Sequence, residues 1–192
     1  MARMSASDEL HRTELAENAL RNLRLLDEEI RANTSSLQPL ILGICTQAEV
    51  FVDRIIGFLL DASVLWQDPL GSMLLTQVGN DYSKGWSSRN QYLRAFSLPI
   101  AGTAEGQAMA TVIDLRNAMA HGDGRITNFQ ASKLTSQLDL EKRLARQLGV
   151  QTIARRTLPG PQTRSLALSI TRKYIELLDS EFRKQHSTKY GL

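Results

Sequence analysis

The chain has 192 residues, of which 42% are hydrophobic and 22% are charged, and its net charge is +3. This composition excludes a disordered chain, and the length suits one domain with a substantial core. The small excess of basic residues permits a nucleic-acid or phosphate partner without requiring one. We therefore predict a single helical domain over residues 1–192, ordered over residues 8–185 between short polar tails.

The only cysteine is Cys45. A lone cysteine excludes an intramolecular disulfide and a cysteine-based metal cluster within one chain. Cys45 lies in an apolar run and is predicted to be a buried structural thiol. The first residues lack the apolar core of a signal peptide, and no run reaches the roughly 20 apolar residues of a membrane helix. We expect a cytoplasmic protein with no membrane partner.

Two long amphipathic helices are predicted in the first third of the chain. Apolar residues recur at helical spacing over residues 8–32 and again over residues 37–64, where Pro39 suits the first turn. The second helix has the broader apolar stripe and is the predicted core helix. Glu49 and Asp53 interrupt that stripe, either as part of a solvated strip or as carboxylates that face the motif helix described below.

The next segment, residues 66–85, is predicted to be rich in loops, with one short helical turn. A short helix is predicted over residues 86–96. Arg89 on this helix is either a phosphate contact or a solvated surface residue.

The last third of the chain combines helical and β-like patterns. A weak, charged helix is predicted over residues 134–148. Residues 149–158 and 165–170 have β-like patterns, and Ser169 is the predicted cap of the final helix. The whole sequence predicts an all-α fold, an up-and-down bundle of four to five main helices with a small β-hairpin near 150–168.

Residues 103–121 are predicted to form a helix whose end carries Arg116, Asn117 and His121, with Gly122 as a left-handed C-cap. At about 100° per residue, Asn117 and His121 share a polar face that points away from the core. Arg116 lies about 140° from His121, so a straight helix does not bring both side chains to one atom. We favour a dimer in which two copies of the motif meet, because a composite cleft needs no distortion of the helix.

A wide apolar arc surrounds Arg116 on the motif helix. Met109, Ile113 and Ala120 form a second apolar strip beside the core stripe, and the small Ala110 leaves room on the polar face. The arc fits either a helix buried between two others of its own chain or a helix that also packs against a second subunit. An arginine flanked by apolar residues needs a partner, which is an acid, a backbone carbonyl or an anion.

The three side-chain types of the motif match the needs of RNA cleavage through the 2′-OH of the RNA itself. A histidine acts as base or acid near neutral pH, and a guanidinium matches phosphate oxygens in a bidentate fork. An asparagine orients the imidazole or donates to a phosphate oxygen. This chemistry requires no metal or other cofactor, and the sequence shows no convincing metal site.

The motif resembles the signature of the HEPN superfamily of all-helical domains. That signature is an arginine, a polar residue that is commonly asparagine, and a histidine with four to six residues between it and the arginine, at the end of a helix. Here Arg116, Asn117 and His121 match it, with four residues between the arginine and the histidine. The long first helix, the apolar second helix and the segment around Trp86 are similar to the RiboL-PSP-HEPN branch. The resemblance does not explain residues 133–164. It implies a metal-independent endoribonuclease that acts as a homodimer through the Arg116–His121 helix and leaves 2′,3′-cyclic phosphate and 5′-hydroxyl ends.

The resemblance also assigns roles to single residues. It makes His121 the catalytic acid or base, Arg116 the transition-state stabiliser and Asn117 the orienting residue. It implies RNA as the substrate and a toxin, phage-defence or RNA-processing role, and it allows a cognate antitoxin as a partner. The predicted substrate contacts are Arg89, Arg125, Glu49 and Asp53.

Two other functions stay open at this point. A non-catalytic module would bind RNA, nucleotide or a partner protein, with Arg116 as an anion anchor. A structural all-helical protein would use Arg116 to cap carbonyls or to pair with an acid such as Asp53. In that protein His121 would be a helix-end residue favoured by the helix macrodipole.

Overall fold

The computed structural model describes residues 12–33, 36–78 and 81–190. Seven α-helices and one two-stranded antiparallel sheet lie in these ranges, so the predicted all-α fold with a small hairpin is confirmed. The first helix is predicted from residue 8, and residues 8–11 lie outside the described residues. Residues 12 and 13 are described and are not helical, so α1 begins later than predicted, at Glu14. The elements are α1 (Glu14–Asn33), α2 (Gln38–Asp61), α3 (Pro69–Val78), α4 (Trp86–Ala95), α5 (Ala104–His121), α6 (Leu134–Leu148), β1 (Val150–Ile153), β2 (Arg156–Pro159) and α7 (Thr163–Tyr190).

The predicted core helix, α2, lies at the centre of the fold and packs against α1, α4, α5 and α7. Pro39 stands in its first turn, where a missing N–H costs nothing. Each fully buried aliphatic or aromatic side chain contributes about 1.5–3 kcal/mol to folding, so this helix supplies much of the core energy. Its buried residues are Leu40, Ile41, Ile44, Cys45, Ala48, Phe51, Val52, Ile55, Ile56, Leu59 and Leu60.

The motif helix, α5, runs antiparallel to α2 and also packs against α6 and α7. Its start is fixed by Thr103, whose hydroxyl accepts a hydrogen bond from the backbone N–H of Gly106 at 3.0 Å. The amide of Gln38 donates to the carbonyl of Met119 at 3.3 Å, and Cys45 Sγ lies 4.0 Å from the carbonyl of Val112. From Gln38 to Cys45 the chain advances seven residues along α2, while their partners, Met119 and Val112, go back seven residues along α5. The two helices are therefore antiparallel, and the motif end of α5 lies beside the start of α2.

The segment predicted to be loop-rich contains a further full helix, α3, which has ten residues. Asp68 begins it, because its carboxylate accepts a hydrogen bond from the N–H of Gly71 at 2.7 Å and Pro69 follows at the first helical position. The short helix predicted over residues 86–96 is confirmed as α4.

The hairpin is shorter than predicted and the last helix begins earlier. β1 and β2 are joined by Ala154 and Arg155, both with positive φ (48° and 67°), the geometry of a type I′ turn. The prediction that residues 165–170 form a strand with Ser169 as a helix cap is wrong, because α7 begins at Thr163. The alternating pattern there is too short to tell a strand from one face of a helix. The backbone of α7 continues through Tyr190, into the segment predicted to be a polar tail.

Candidate active site

The three motif side chains lie on the last two turns of α5. His121 is the final residue of the helix and is exposed, whereas Arg116 and Asn117 are half-buried. The guanidinium of Arg116 donates a hydrogen bond to Oδ1 of Asn117 at 2.9 Å. Within the described ranges, the imidazole of His121 has no hydrogen-bond partner, and Arg116 and His121 do not contact each other through a hydrogen bond. One chain therefore presents the motif without assembling it around a single point.

Among the described residues, Arg116 has a neutral partner only. In the part of the chain that the structure describes, no carboxylate lies within 4.0 Å of its guanidinium. A guanidinium has five N–H donors, and the contact with Asn117 leaves most of them for another acceptor. The partner among the described residues is therefore the side-chain amide oxygen of Asn117, not the predicted acid or backbone carbonyl, and the third alternative, an anion, stays a prediction.

The positive charge of Arg116 affects the pKa of the buried thiol of Cys45 on α2. The pKa of Cys45 is raised to about 12, mainly by burial and in smaller part by the charge of Glu49, while the charge of Arg116 acts in the opposite direction. Cys45 is buried, as predicted, and its thiol stays protonated near neutral pH. The cationic side chain of Arg116 therefore sits close to the α2 interface while remaining half accessible.

Part of the apolar arc on α5 is covered by the chain itself. Met109 is only 1% exposed, and the hydroxyl of Thr171 on α7 lies 3.7 Å from its sulfur. Ile113 is half-buried, whereas Ala120 is exposed beside His121. At Met109 the width of the arc is explained by packing against α7, so it gives no argument for a second subunit there. Only the strip next to His121 is left open.

Asp114 connects α5 to α6 and to the loop after His121. Its carboxylate pairs with Arg143 of α6 at 2.9 Å, and Arg143 also donates to the hydroxyl of Thr111 at 3.3 Å. The amide of Gln130 donates to the backbone carbonyl of Asp114 at 2.9 Å. These bonds attach both α6 and the loop after His121 to the motif helix.

The turn after His121 depends on Gly122, although not for the predicted reason. Gly122 has φ −113°, so the prediction of a left-handed C-cap at this residue is wrong. The left-handed residues are Asp123 (φ 50°) and Gly124 (φ 77°). A Cβ at Gly122 would overlap the carbonyl oxygen of Arg125 and lie 2.8 Å from that of Ala118. The glycine is needed because the chain folds back closely on the helix end.

The hairpin packs against this turn, a contact that the sequence did not predict. The N–H of Thr157 donates to the carbonyl of Gly124 at 2.7 Å, and the N–H of Ile126 donates to the carbonyl of Arg155 at 2.8 Å. Arg125 and Arg156 form an antiparallel β-bridge. The β-like composition of residues 149–158 identified the hairpin, but only the tertiary fold shows that its edge pairs with the segment after the motif.

The remaining predicted site residues form a separate cluster that joins α4 to α2. Arg89 makes two hydrogen bonds with the carboxylate of Asp53, both 2.7 Å, and Trp86 Nε1 donates to Glu49 at 2.9 Å. The guanidinium of Arg89 also lies 5.7 Å from the centroid of the Trp86 ring. Burial lowers the pKa of Arg89, but the hydrogen bond and charge of Asp53 outweigh it and raise that pKa above its ordinary value. The cluster is a partly buried ion pair with an aromatic neighbour.

These contacts correct the expectations for three residues. Arg89 is 5% exposed, so it is not a solvated surface residue, and a buried, doubly bonded guanidinium does not fit the predicted phosphate contact. Glu49 and Asp53 are neither a free solvated strip nor directed at α5, because both accept hydrogen bonds from α4. Gln38 of α2 is bonded to Met119 at the motif end of α5. Asp53 follows Gln38 by 15 residues on the same helix, so it lies about 22 Å from the motif end. Arg125 is exposed and stands four residues after His121, where its predicted role stays a prediction.

Two general features of the described residues complete the picture. No group of three or more histidine, cysteine, aspartate or glutamate side chains among them is placed to hold a metal ion. Across the same residues, no helix combines the length and the apolarity needed to cross a membrane.

The chain matches no protein-family model, no curated protein and no solved structure.

Proposed function

We propose that the motif end of α5 is half of a metal-independent ribonuclease site, completed by a second copy of the chain. The observation that carries this proposal is that one helix end presents two side chains with hydrogen-bonding capacity left for a ligand. Arg116 is a half-buried cation with a neutral partner, and His121, five residues further along α5, is exposed without a hydrogen bond to the described residues. The resemblance of the motif to the HEPN superfamily supports the same proposal.

The chemistry uses the nucleophile that RNA already carries. One imidazole takes the proton of the 2′-OH, whose oxygen attacks the adjacent phosphorus. The P–O5′ bond breaks, and the leaving 5′-oxygen takes a proton from the imidazolium of the second copy. The products are a 2′,3′-cyclic phosphate and a 5′-hydroxyl. Arg116 stabilises the charge that develops on the phosphate oxygens. Asn117 holds the guanidinium through its Oδ1, which leaves its side-chain N–H₂ free to donate to a phosphate oxygen.

A homodimer solves the geometric problem of the single chain. Arg116 and His121 lie about 140° apart around the helix, so the two side chains of one copy diverge. Packing of two α5 ends lets the His121 of each copy face the Arg116 of the other. Ala120 is exposed next to His121, and Ala110 is exposed on the same face about 16 Å nearer the start of α5; both are small enough for a second backbone to approach. A toxin, phage-defence or RNA-processing role and a cognate antitoxin rest on the family resemblance alone.

The experiment that tests the proposal is cleavage of RNA in EDTA by the purified chain. We expect cleavage by the wild type and its loss in His121→Ala and Arg116→Ala, each with unchanged circular dichroism and unchanged mass by light scattering. Gln107→Ala, an exposed substitution near the other end of α5, is the matched control and should cleave normally. Cleavage that persists in His121→Ala would refute the proposed role of this residue.

A non-catalytic RNA- or nucleotide-binding module is the second candidate, and one observation favours it. Arg116 and His121 do not converge within one chain, so an anion can bind Arg116 without any acid–base partner. This candidate predicts RNA binding that weakens with salt and with Arg116→Ala, but no strand scission by the wild type. Scission in EDTA would exclude it.

A further inference from the structure

An aromatic side chain stands almost fully in solvent beside the motif end of α5. Phe129 is 91% exposed. The turn that carries it is held in place, because Thr127 and Gln130 bond each other's backbone N–H groups at 3.1 and 3.2 Å. Gln130 is in turn attached to Asp114 on α5. The ring is therefore presented from an ordered turn rather than from a free loop.

Three arginines lie on the chain segments next to this turn: Arg125 precedes it, and Arg155 and Arg156 belong to the hairpin. The guanidinium of Arg155 donates to Asn128, the residue before Phe129, at 3.2 Å, and to Gln137 at 3.1 Å. Arg125 donates to the carbonyl of Ala154 at 3.3 Å. Among the described residues, no carboxylate lies within 4.0 Å of Arg125, Arg155 or Arg156.

The charge of this region is strongly one-sided. Segments 122–133 and 150–159 contain four cationic residues and one acid, Asp123, which is 4 − 1 = +3. Arg125, Arg155 and Arg156 are all exposed. An exposed ring with exposed arginines on the adjoining segments matches single-stranded nucleic acid, whose bases stack on aromatic side chains while arginines bind the phosphates. Duplex RNA keeps its bases stacked inside and offers no face to such a ring.

We propose that Phe129, Arg125, Arg155 and Arg156 form a binding surface for single-stranded RNA, here called the arginine–phenylalanine surface. One base stacks on Phe129, and the neighbouring phosphates bind the arginines. The hairpin has a defined purpose in this arrangement, since it is bonded to Gly124 and Ile126 and holds two of the three arginines at the helix end. That the bound strand is then cut at His121 rests on the proposed function.

A second copy of the chain is the competing occupant of this surface, because Ile153 and Leu158 are also exposed on the hairpin. A two-fold dimer would place the surface against itself. The arginines of one copy would then face those of the other, and like charges across an interface are unfavourable. An RNA strand supplies the opposite charge, which is why the surface is assigned to RNA.

The test measures binding separately from cleavage. A fluorescent 2′-O-methyl single-stranded RNA lacks the free 2′-OH, so it reports binding alone. Phe129→Ala should raise the Kd about 5- to 150-fold, as expected for the loss of one stacked base. Phe129→Tyr should bind like the wild type, whereas Phe129→Leu should bind as weakly as Phe129→Ala, because leucine keeps the apolar area but not the ring.

The arginines are tested through the salt dependence of binding. Arg125→Ala and Arg156→Ala should each lower the slope of log K against log salt concentration by about 0.7, the value for one phosphate contact with a single strand. Arg54→Ala is the control: this exposed arginine lies on α2, far from the motif end of α5, and its loss should leave the slope unchanged.

The outcomes separate this surface from the proposed cleavage. Unchanged binding by Phe129→Ala, or equally tight binding of a duplex of the same length, would overturn the RNA surface even if the wild type cleaves RNA. Loss of binding in Phe129→Ala together with a wild type that never cleaves would support the surface and refute the catalytic proposal. A change from dimer to monomer in Phe129→Ala, with RNA binding intact, would assign the surface to a second copy instead.

Discussion

Replacing Asp53 with alanine should strongly destabilise the fold, because it leaves the buried guanidinium of Arg89 without its carboxylate. The side chain of Arg89 is 7% exposed and that of Asp53 is 26% exposed, and two hydrogen bonds of 2.7 Å join them. Removing one member of a buried pair typically costs 3–5 kcal/mol, since the remaining charge is uncompensated. Asp53 is a quarter exposed, so water replaces part of the loss and we expect about 3 kcal/mol.

The assay is thermal unfolding followed by circular dichroism. For a chain of this size, about 3 kcal/mol corresponds to a fall in Tm of roughly 6–12 °C. Arg54→Ala, next to Asp53 but exposed, should change stability by no more than about 0.5 kcal/mol. The double variant Asp53→Leu with Arg89→Met removes both charges and should regain most of the loss. A fall of less than about 2 °C in Asp53→Ala, or no recovery in the double variant, would refute this account of the pair.

Three further predictions concern single residues near α5. Gly122→Ala should lower stability by about 1–3 kcal/mol in urea unfolding, because the added methyl overlaps the carbonyl oxygen of Arg125. Ala154→Gly should raise stability by about 1 kcal/mol, because it relieves a left-handed residue in the hairpin turn, and a lower Tm would contradict this. Cys45 should not react with a thiol reagent at pH 8 until the chain is unfolded. Its folded pKa is raised from 9.0 to about 12, so its contribution to stability is complete below pH 9 and is lost as the pH rises toward 12. The free energy of unfolding should therefore fall more steeply over this range in the wild type than in Cys45→Ala.

The parts of the fold that follow from local periodicity were predictable. The apolar stripe of α2 and the cap of α5 at Thr103 are local patterns, because the residues concerned lie within a few turns of each other. The start of α3 also had a local signal, Asp68 followed by Pro69, which is typical of a helix N-terminus. The glycines of the segment favoured the prediction of a loop instead. Alternation over residues 165–170 was misleading because six residues do not separate a strand from a helix face.

Apart from the turn at Gly122, the unpredicted features of the site depend on contacts between residues that are distant in the sequence. Arg89 and Asp53 are 36 positions apart, and nothing in either local pattern indicates that they pair. The β-bridge between Arg125 and Arg156 spans 31 positions and depends on how α6 returns the chain to the end of α5. The exposure of Phe129 is likewise set by tertiary packing. The motif itself was visible in the sequence because its residues share one helix.

The central claim is that the motif end of α5 promotes attack by the 2′-OH of RNA. Its most direct test compares two oligonucleotides in EDTA: one all-ribose RNA with a mapped cleavage site, and one with a single 2′-deoxy nucleotide on the 5′ side of the cleaved bond. We predict that the wild type cleaves the first to a 2′,3′-cyclic phosphate and a 5′-hydroxyl and leaves the second intact at that site. Cleavage of the deoxy-substituted strand at the same bond, or failure to cleave the all-ribose strand, would contradict the account.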